Sequence, residues 1–425
     1  MGIPMRNISQ EVTCLVDQAE ADCQAVFQKI DRMERINTRK VLSAFQKYRV
    51  SARHFAGTTG YGYDDIGRDT LSNIFAEVLG CEAALVRPQI VSGTHALALC
   101  LYGVLRPGDN MLSAAGKPYD TLEEVIGLAG TPGAGSLKDY GIGYRQVELT
   151  PQGEMDIEAI LAAMDEHTRL VLIQRSRGYD WRPSLSIHQI EQAAGAIHAA
   201  YPDACVMVDN CYGEFTDEKE PTQLGADLMA GSLIKNLGGG LAPTGGYIAG
   251  RADLIEKISY RLTSPGIGAE VGSNAAGYQP YYQGLFMAPH VVAQAIKTAV
   301  LASRVFEKLG FPVNPAYDEP RNDIIQAIRF EDADKLIACI QAIQMASPVD
   351  SEALPEPWAM PGYQDQVIMA AGTFVAGASI ELSADAPIRP PYVAYLQGGL
   401  TYAHGRTGVE CAVEHLLEKG LIGGF

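Results

Sequence analysis

The sequence predicts an α/β protein: a mostly parallel sheet covered by helices, followed by a smaller α/β domain. Apolar runs such as Leu170-Val171-Leu172-Ile173 and Val206-Met207-Val208 fit strands buried on both faces. Stretches with helical spacing, such as 187–200, alternate with them, as parallel strands joined by crossover helices require. A chain of 425 residues with 47% apolar content is too long for one core and apolar enough for two.

Taken in order, residues up to about 50 read as helix, with Val12, Leu15, Val16 and Ala19, then Val26, Phe27, Ile30 and Met33 near helical spacing. The run Gly57-Thr58-Thr59-Gly60-Tyr61-Gly62-Tyr63 must be a loop, and a helix is expected from Asp69 to Leu79. Val91-Ser92-Gly93-Thr94-His95-Ala96-Leu97 joins an extended run to an apolar helix. A helix-rich stretch near 290–310 leads to Phe311-Pro312-Val313-Asn314-Pro315, which reads as a connection. The small domain then extends from Ile324-Ile325-Gln326-Ala327-Ile328 to a helix near 409–419. The expected division is an N-terminal helical arm over 1–55, a large domain over 56–300 and a small domain over 301–425.

Several classes are excluded by composition. A formal charge of −17 disfavours nucleic acid and anionic membranes as partners. Residues 1–30 lack the basic start and apolar middle of a signal peptide, and no apolar run reads as long enough to span a bilayer, so a cytoplasmic protein is expected. The eight cysteines show no CxxC spacing, and no cysteine, histidine and carboxylate cluster has ligand spacing; neither a disulfide framework nor a metal site is expected.

The chemistry is carried by Lys235, 26 residues after Asp209, which closes the apolar run Cys205-Val206-Met207-Val208-Asp209. A buried carboxylate ending one strand and a lysine just past the next suit a pyridoxal 5'-phosphate ring. The lysine would hold the aldehyde as a Schiff base, and the aspartate would keep the pyridine nitrogen protonated so that the ring accepts electrons. Either residue alone reads more readily as a solvated surface charge, and the rest of the chain shifts the balance. Ser92, Gly93 and Thr94 stand where a helix N-terminus would receive a phosphate, although an ordinary helix cap has the same composition. Tyr119, in Gly116-Lys117-Pro118-Tyr119-Asp120-Thr121-Leu122, offers a ring to stack on a cofactor or simply to pack. Gly238-Gly239-Gly240-Leu241-Ala242-Pro243-Thr244-Gly245-Gly246 lacks the ending of a nucleotide P-loop and is expected to crowd against a ligand or a subunit neighbour. His95 reads as a packing or capping group.

In their order along the chain, Tyr63, Gly67-Arg68-Asp69-Thr70, Ser92-Gly93-Thr94, Asp209-Asn210 and Ser232-(x)2-Lys235 resemble the fold-type I pyridoxal-phosphate enzymes of cysteine and methionine metabolism, such as methionine γ-lyase and cystathionine γ-synthase. The runs at 116–122, Gln174-Arg175-Ser176-Arg177-Gly178-Tyr179-Asp180-Trp181-Arg182-Pro183 and Gly239–Tyr247 are similar to a methionine γ-lyase-like branch often labelled "aluminium resistance protein". The similarity runs from about residue 50 to the C-terminus. It implies a seven-stranded, mostly parallel sheet in the large domain, as in the aspartate aminotransferase-like transferases. It also implies Lys235 as the Schiff-base lysine, Asp209 on the pyridine nitrogen, and Ser92, Gly93, Thr94 and Ser232 on the phosphate. Tyr63 would reach the phosphate of a neighbouring subunit, which implies a homodimer or homotetramer with the active site at the dimer interface. Two positions depart from the pattern: Asp65 stands where an arginine is usual, so that either Arg68 or another basic group takes over or the loop does something different, and Ile234 stands where a threonine is usual.

The implied reaction is β- or γ-elimination at a carbon–sulfur bond of methionine, cysteine, cystathionine or a similar amino acid. Lys235, its pKa lowered by a cationic and partly desolvated site, would remove the α-proton, and Tyr119 would protonate the departing sulfur. The substrate carboxylate calls for an arginine: Arg389, between stiffening prolines in the small domain, with Arg175 and Arg177 competing or binding a distal acid group. An aminotransferase on the same cofactor is the second enzyme reading. A catalytically silent scaffold is the third, disfavoured by the intact Lys235 and Asp209.

Overall fold

The computed structural model describes residues 8–360, 363 and 365–425; residues 1–7 of the expected arm lie outside them. Helix α1 (Gln10–Lys47) begins where the Ser9 side chain accepts from the Val12 N–H at 3.3 Å, satisfying one of the orphan donors of the first turn. It buries Val12, Leu15, Val16, Ala19, Cys23, Phe27 and Ile30, one stripe at helical spacing. There follow α2 (Ile66–Leu79), β1 (Ala83–Arg87), α3 (Gly93–Val104), β2 (Asn110–Ser113), α4 (Asp120–Ile126), β3 (Gly143–Gln146), α5 (Ile157–Ala163), β4 (Thr168–Gln174), α6 (Ile187–Ala200), β5 (Cys205–Asp209), β6 (Leu228–Ser232), β7 (Gly246–Gly250), α7 (Ala252–Leu262) and α8 (Gln279–Lys308).

The seven strands form one sheet in the order β1-β7-β6-β5-β4-β2-β3. β2 to β6 pair in parallel, while β7 is antiparallel to both β6 and β1. Alternate residues of one strand enter different cores. Val171, Ile173, Val206 and Val208 join the cluster shared with α1, α2 and α8. Leu170, Leu172, Cys205 and Met207 join a second cluster with Leu97 and Leu101 of α3 and Ile258 of α7. Burial on both faces explains why these strands read as unbroken apolar runs. Parallel alignment also brings Gln174, Asp209 and Ser232, the last residues of β4, β5 and β6, to one edge, where open α/β sheets bind ligands.

Helix α2 starts at Ile66, three residues before the expected Asp69, because the Asp65 carboxylate caps it by accepting from the Arg68 N–H at 3.0 Å. The same carboxylate accepts from Thr58 Oγ1 at 2.5 Å and from the Tyr278 hydroxyl at 2.7 Å. The carboxylate found in place of the expected arginine therefore anchors the glycine-rich loop. Gly238 and Gly239 crowd against the protein's own helix α8, and Gly240 crowds against Leu400. A Cβ on Gly239 would lie 2.3 Å from the Gly284 carbonyl oxygen, and one on Gly284 would lie 2.3 Å from the Gly238 oxygen. Backbone-to-backbone packing of this kind tolerates no side chain on either partner. Contrary to the sequence expectation, α8 is long and apolar enough to cross a membrane by length and composition, but 78% of its apolar window is buried inside the protein, where it packs along α1.

Beyond α8 lie β8 (Val313–Asn314), β9 (Gln326–Arg329), α9 (Ala333–Met345), β10 (Val367–Ala370), β11 (Ser383–Pro387), β12 (Val393–Gln397) and α10 (Tyr402–Glu418). The strands form a second, antiparallel sheet in the order β10-β11-β12-β9-β8. Its apolar face and helices α9 and α10 continue the cluster that begins on α1, so one core runs through both sheets.

Candidate active site

At the carboxyl edge of β4–β6 lies a cavity of about 250 Å³ lined by Ser92, Gly93, Thr94, Tyr119, Asp209, Ser232 and Lys235, together with Gln174, Cys211, Tyr212 and Ile234. Sequence positions more than 140 residues apart thus meet in one space, as the strand order dictates.

Helix α3 points its N-terminus into this cavity. Ser92 is its cap, with Oγ accepting from the His95 N–H at 3.0 Å, so the ordinary capping role and the cavity position coexist. The N–H groups of Gly93 and Thr94 open the helix and have no intrahelical acceptor. A Cβ on Gly93 would sit 3.3 Å from Cys211 Sγ and 3.5 Å from Ser232 Cβ, so the glycine lets the helix start close against β6. Thr94 Oγ1 bonds Thr121 Oγ1 at 2.8 Å, and Ser232 Oγ accepts from the Ile234 N–H at 3.3 Å. His95 Nδ1 takes the Val91 N–H at 3.2 Å, the capping role expected for it.

Asp209 is buried at the end of β5. Cys211 supplies its donors, a backbone N–H at 3.2 Å and the thiol. Burial raises the carboxyl pKa and the Lys235 charge only partly offsets this, so the carboxylate is short of cationic partners. Lys235 Nζ lies 4.0 Å from the centre of the Tyr212 ring. Burial pulls the ammonium pKa down, but Cys211, Tyr212, Asp209 and Glu214 together outweigh it, leaving Lys235 above the ordinary lysine value. The charges that shift Lys235 most in this chain are thus acidic, whereas the sequence reading placed the freed amine in a cationic site.

The Tyr119 N–H donates to Gln174 Oε1 at 2.6 Å, and the Tyr119 hydroxyl bonds that of Tyr363 at 2.8 Å. Burial, then Tyr363 and Asp385, holds its pKa well above the usual tyrosine value, so it stays a proton donor. Tyr119, Gln174 and Gly178 also line an adjoining outer chamber of about 730 Å³, which contains Arg177 and Arg389. Neither arginine lines the inner cavity. Arg389 is half-exposed on the chamber wall and pairs with Asp365 at 2.9 Å. Arg177 is buried, donating to the Asn314 carbonyl at 2.7 Å, with Asp323 at 3.7 Å. Arg175 lines neither space: fully buried, it donates to Asn210 Oδ1 at 2.9 Å, the Gly213 carbonyl at 2.8 Å and Thr216 Oγ1 at 3.2 Å, bracing the loop after β5. It is thus no competitor for the substrate. Arg68 is buried against the Gly62 carbonyl at 2.7 Å and Asp69 at 2.8 Å. Tyr63 is exposed, away from this chain's cavity, its ring 5.6 Å from that of Tyr61.

Tyr212 and Glu214 were missed in the sequence, where nothing marks them beyond their nearness to Asp209. Glu214 is fully buried beneath Lys235's turn; Tyr247 donates to Oε1 at 2.6 Å, and Oε2 has no hydrogen-bond partner among the described residues. Burial pushes its pKa up to about 8, against the Tyr247 hydrogen bond and with a further push from Glu220. Below the unfolded value of 4.5 the group is neutral in both states. Between there and about 8 the folded protein holds a proton that the unfolded chain releases, so stability falls as pH rises, by about 1.4 kcal/mol per unit at most. In Glu214→Gln that part of the slope should disappear. Denaturant midpoints across this window in both proteins check it, and parallel curves would refute it.

The sequence profile described as methionine gamma-lyase matches residues 12–417. The chain is 55% identical over 405 residues to the uncharacterized protein YnbB of Bacillus subtilis (strain 168), covering 95% of this chain and 96% of that one. It is 28% identical over 218 residues to the L-methionine gamma-lyase of Pseudomonas putida, about half of each chain. The crystal structure of a carbon-sulfur lyase involved in aluminum resistance from Clostridium novyi NT superposes with a TM-score of 0.93 at 52% identity, covering 96% of both chains. A profile match over nearly the whole chain and a shared fold at half identity lead to one conclusion: the chain belongs to the methionine γ-lyase family, a family of fold-type I, pyridoxal-phosphate-dependent enzymes.

Proposed function

We propose that this chain is a carbon–sulfur lyase that binds pyridoxal 5'-phosphate on Lys235 and eliminates a thiol from a sulfur-containing amino acid. The observation that carries the reading is the single cavity holding Lys235, Asp209 and the open N-terminus of α3. Its residues fit the cofactor. Lys235 only partly offsets the burial of Asp209, and a protonated pyridine nitrogen would supply further positive charge. The Gly93 and Thr94 N–H groups, with the Ser92, Thr94 and Ser232 hydroxyls, suit a phosphate. When bound, the cofactor acts as an electron sink that stabilises negative charge at the substrate α-carbon.

The chain's own groups supply the remaining roles. The Lys235 amine takes the α-proton, and the acidic groups around it favour its holding that proton afterwards. The Tyr119 phenol, kept protonated by burial, gives a proton to the departing sulfur. Arg389 exchanges Asp365 for the substrate carboxylate, and Arg177 faces the far end of the substrate in the outer chamber. The volume of that chamber favours substrates larger than cysteine. Exposed Tyr63 reads as a contact to the cofactor of a second copy, which makes a dimer the smallest active unit.

The test is the absorbance spectrum of the protein with pyridoxal phosphate before and after borohydride reduction, followed by peptide mapping. A visible band whose reduced adduct maps to Lys235 is expected, with thiol and ammonia released from a thioether amino acid. Transfer of the amino group to a keto acid would favour an aminotransferase instead, and no band at all would sink the reading.

A further inference from the structure

Tyr212 adopts a backbone conformation that tyrosine rarely takes, left-handed with φ of 72°. Such strain persists only where the surroundings hold it, and it concentrates at functional positions. Here it aims a large side chain between the two sheets. The ring packs beside Ile325, Ala327, Val393 and Tyr395 of the second sheet. Its hydroxyl accepts from Ser379 Oγ at 2.9 Å, and its centre lies 4.0 Å from Lys235 Nζ. From the loop after β5, one side chain therefore touches the lysine, the small-domain sheet and the segment joining β10 and β11.

We propose that Tyr212 is a positioning residue for Lys235: its ring face seats the ammonium at the cavity wall, and its hydroxyl bond to Ser379 ties that seat to the segment joining β10 and β11 of the small domain. The inference rests on Lys235 being the anchoring amine. An aromatic face attracts a buried cation through its quadrupole, so the ring both orients the amine and favours its charged form. The titratable groups facing Lys235 are Asp209, Cys211, Tyr212, Glu214 and Asp385. Tyr212 is the aromatic member of that set, and it alone bonds Ser379.

The experiment is competitive acetylation of the cofactor-free protein as a function of pH, with Lys235 followed by mass spectrometry. Asparagine tolerates the left-handed backbone, so Tyr212→Asn removes the ring without adding strain. The Lys235 midpoint should fall by about one pH unit in this variant, equivalent to about tenfold faster labelling at a fixed pH below it. Tyr212→Phe and Ser379→Ala should each give a smaller shift, and the double variant no more than either single one, because both remove the same bond. Opening the site without removing a seat would speed labelling at every pH and leave the midpoint in place. An unmoved midpoint in Tyr212→Asn overturns the seat, and additive shifts in the double variant overturn the tie to Ser379. Borohydride trapping on the unaltered protein separates the two levels: an adduct on Lys235 with an unmoved midpoint sinks this inference alone, and trapping elsewhere sinks the reading of the site as well.

Discussion

Replacement of Lys235 by alanine is expected to lower the elimination rate by at least about a thousandfold, the upper part of the range for a positioned acid–base group. In the proposed function Lys235 combines two roles, the attachment amine and the base at the α-carbon. The other nitrogen bases nearby are committed elsewhere, His95 to the Val91 N–H and Arg175 to the loop after β5. Folding should survive, because truncation removes a charge from an acidic pocket and leaves Asp209 and Glu214 with their own donors, Cys211 and Tyr247. The checks are single-turnover kinetics with a thioether substrate and the loss of the reducible band, alongside an unchanged circular dichroism spectrum. Retention of more than about a tenth of the activity would transfer the base to another residue.

Asp209→Ala is expected to weaken cofactor binding by about 10² to 5 × 10³-fold, the effect of removing one partner of a buried charge pair, roughly 3–5 kcal/mol. Asp209 sits at the end of a strand buried on both faces and, among the described residues, takes its donors from Cys211, so solvent cannot take its place opposite a ring cation. Asp209→Asn should lose nearly as much, since it keeps the shape and loses the charge. A second consequence follows for the lysine. Asp209 is among the groups that raise the Lys235 pKa, so removing it lowers that pKa and speeds acetylation of Lys235 in the cofactor-free protein. Weaker cofactor binding together with a more reactive lysine is the expected signature. Unchanged affinity in both variants would show that the pyridine nitrogen does not face Asp209.

The core of the site was readable from local signals. Asp209 closes an apolar strand, Lys235 follows the next one, and Ser92-Gly93-Thr94 opens an apolar helix. All of them line one cavity. What was not readable concerns whom each charged side chain meets. Arg175, Arg177 and Arg389 look alike as candidates in the sequence, yet one is sealed under the loop after β5, one is tied to the Asn314 carbonyl, and one stays on a chamber wall. Their partners come from Asn210, Asn314 and Asp365, which nothing local assigns.

Periodicity and punctuation carried the elements of this chain. Burial on both faces wrote β4 and β5 as unbroken apolar runs, and the apolar stripe of α1 repeated at helical spacing, because residues one turn or one pleat apart share an environment whatever lies farther away. The partners across the fold were settled only by tertiary packing. Gly238 and Gly239 met helix α8, Asp65 met Thr58 and Tyr278, and Tyr212 took a left-handed backbone to reach Ser379. The Lys235 pKa belongs to the same class, since its sign depends on acidic groups gathered from β5 and the loop that follows it, a sum over distances that a linear order of residues does not contain.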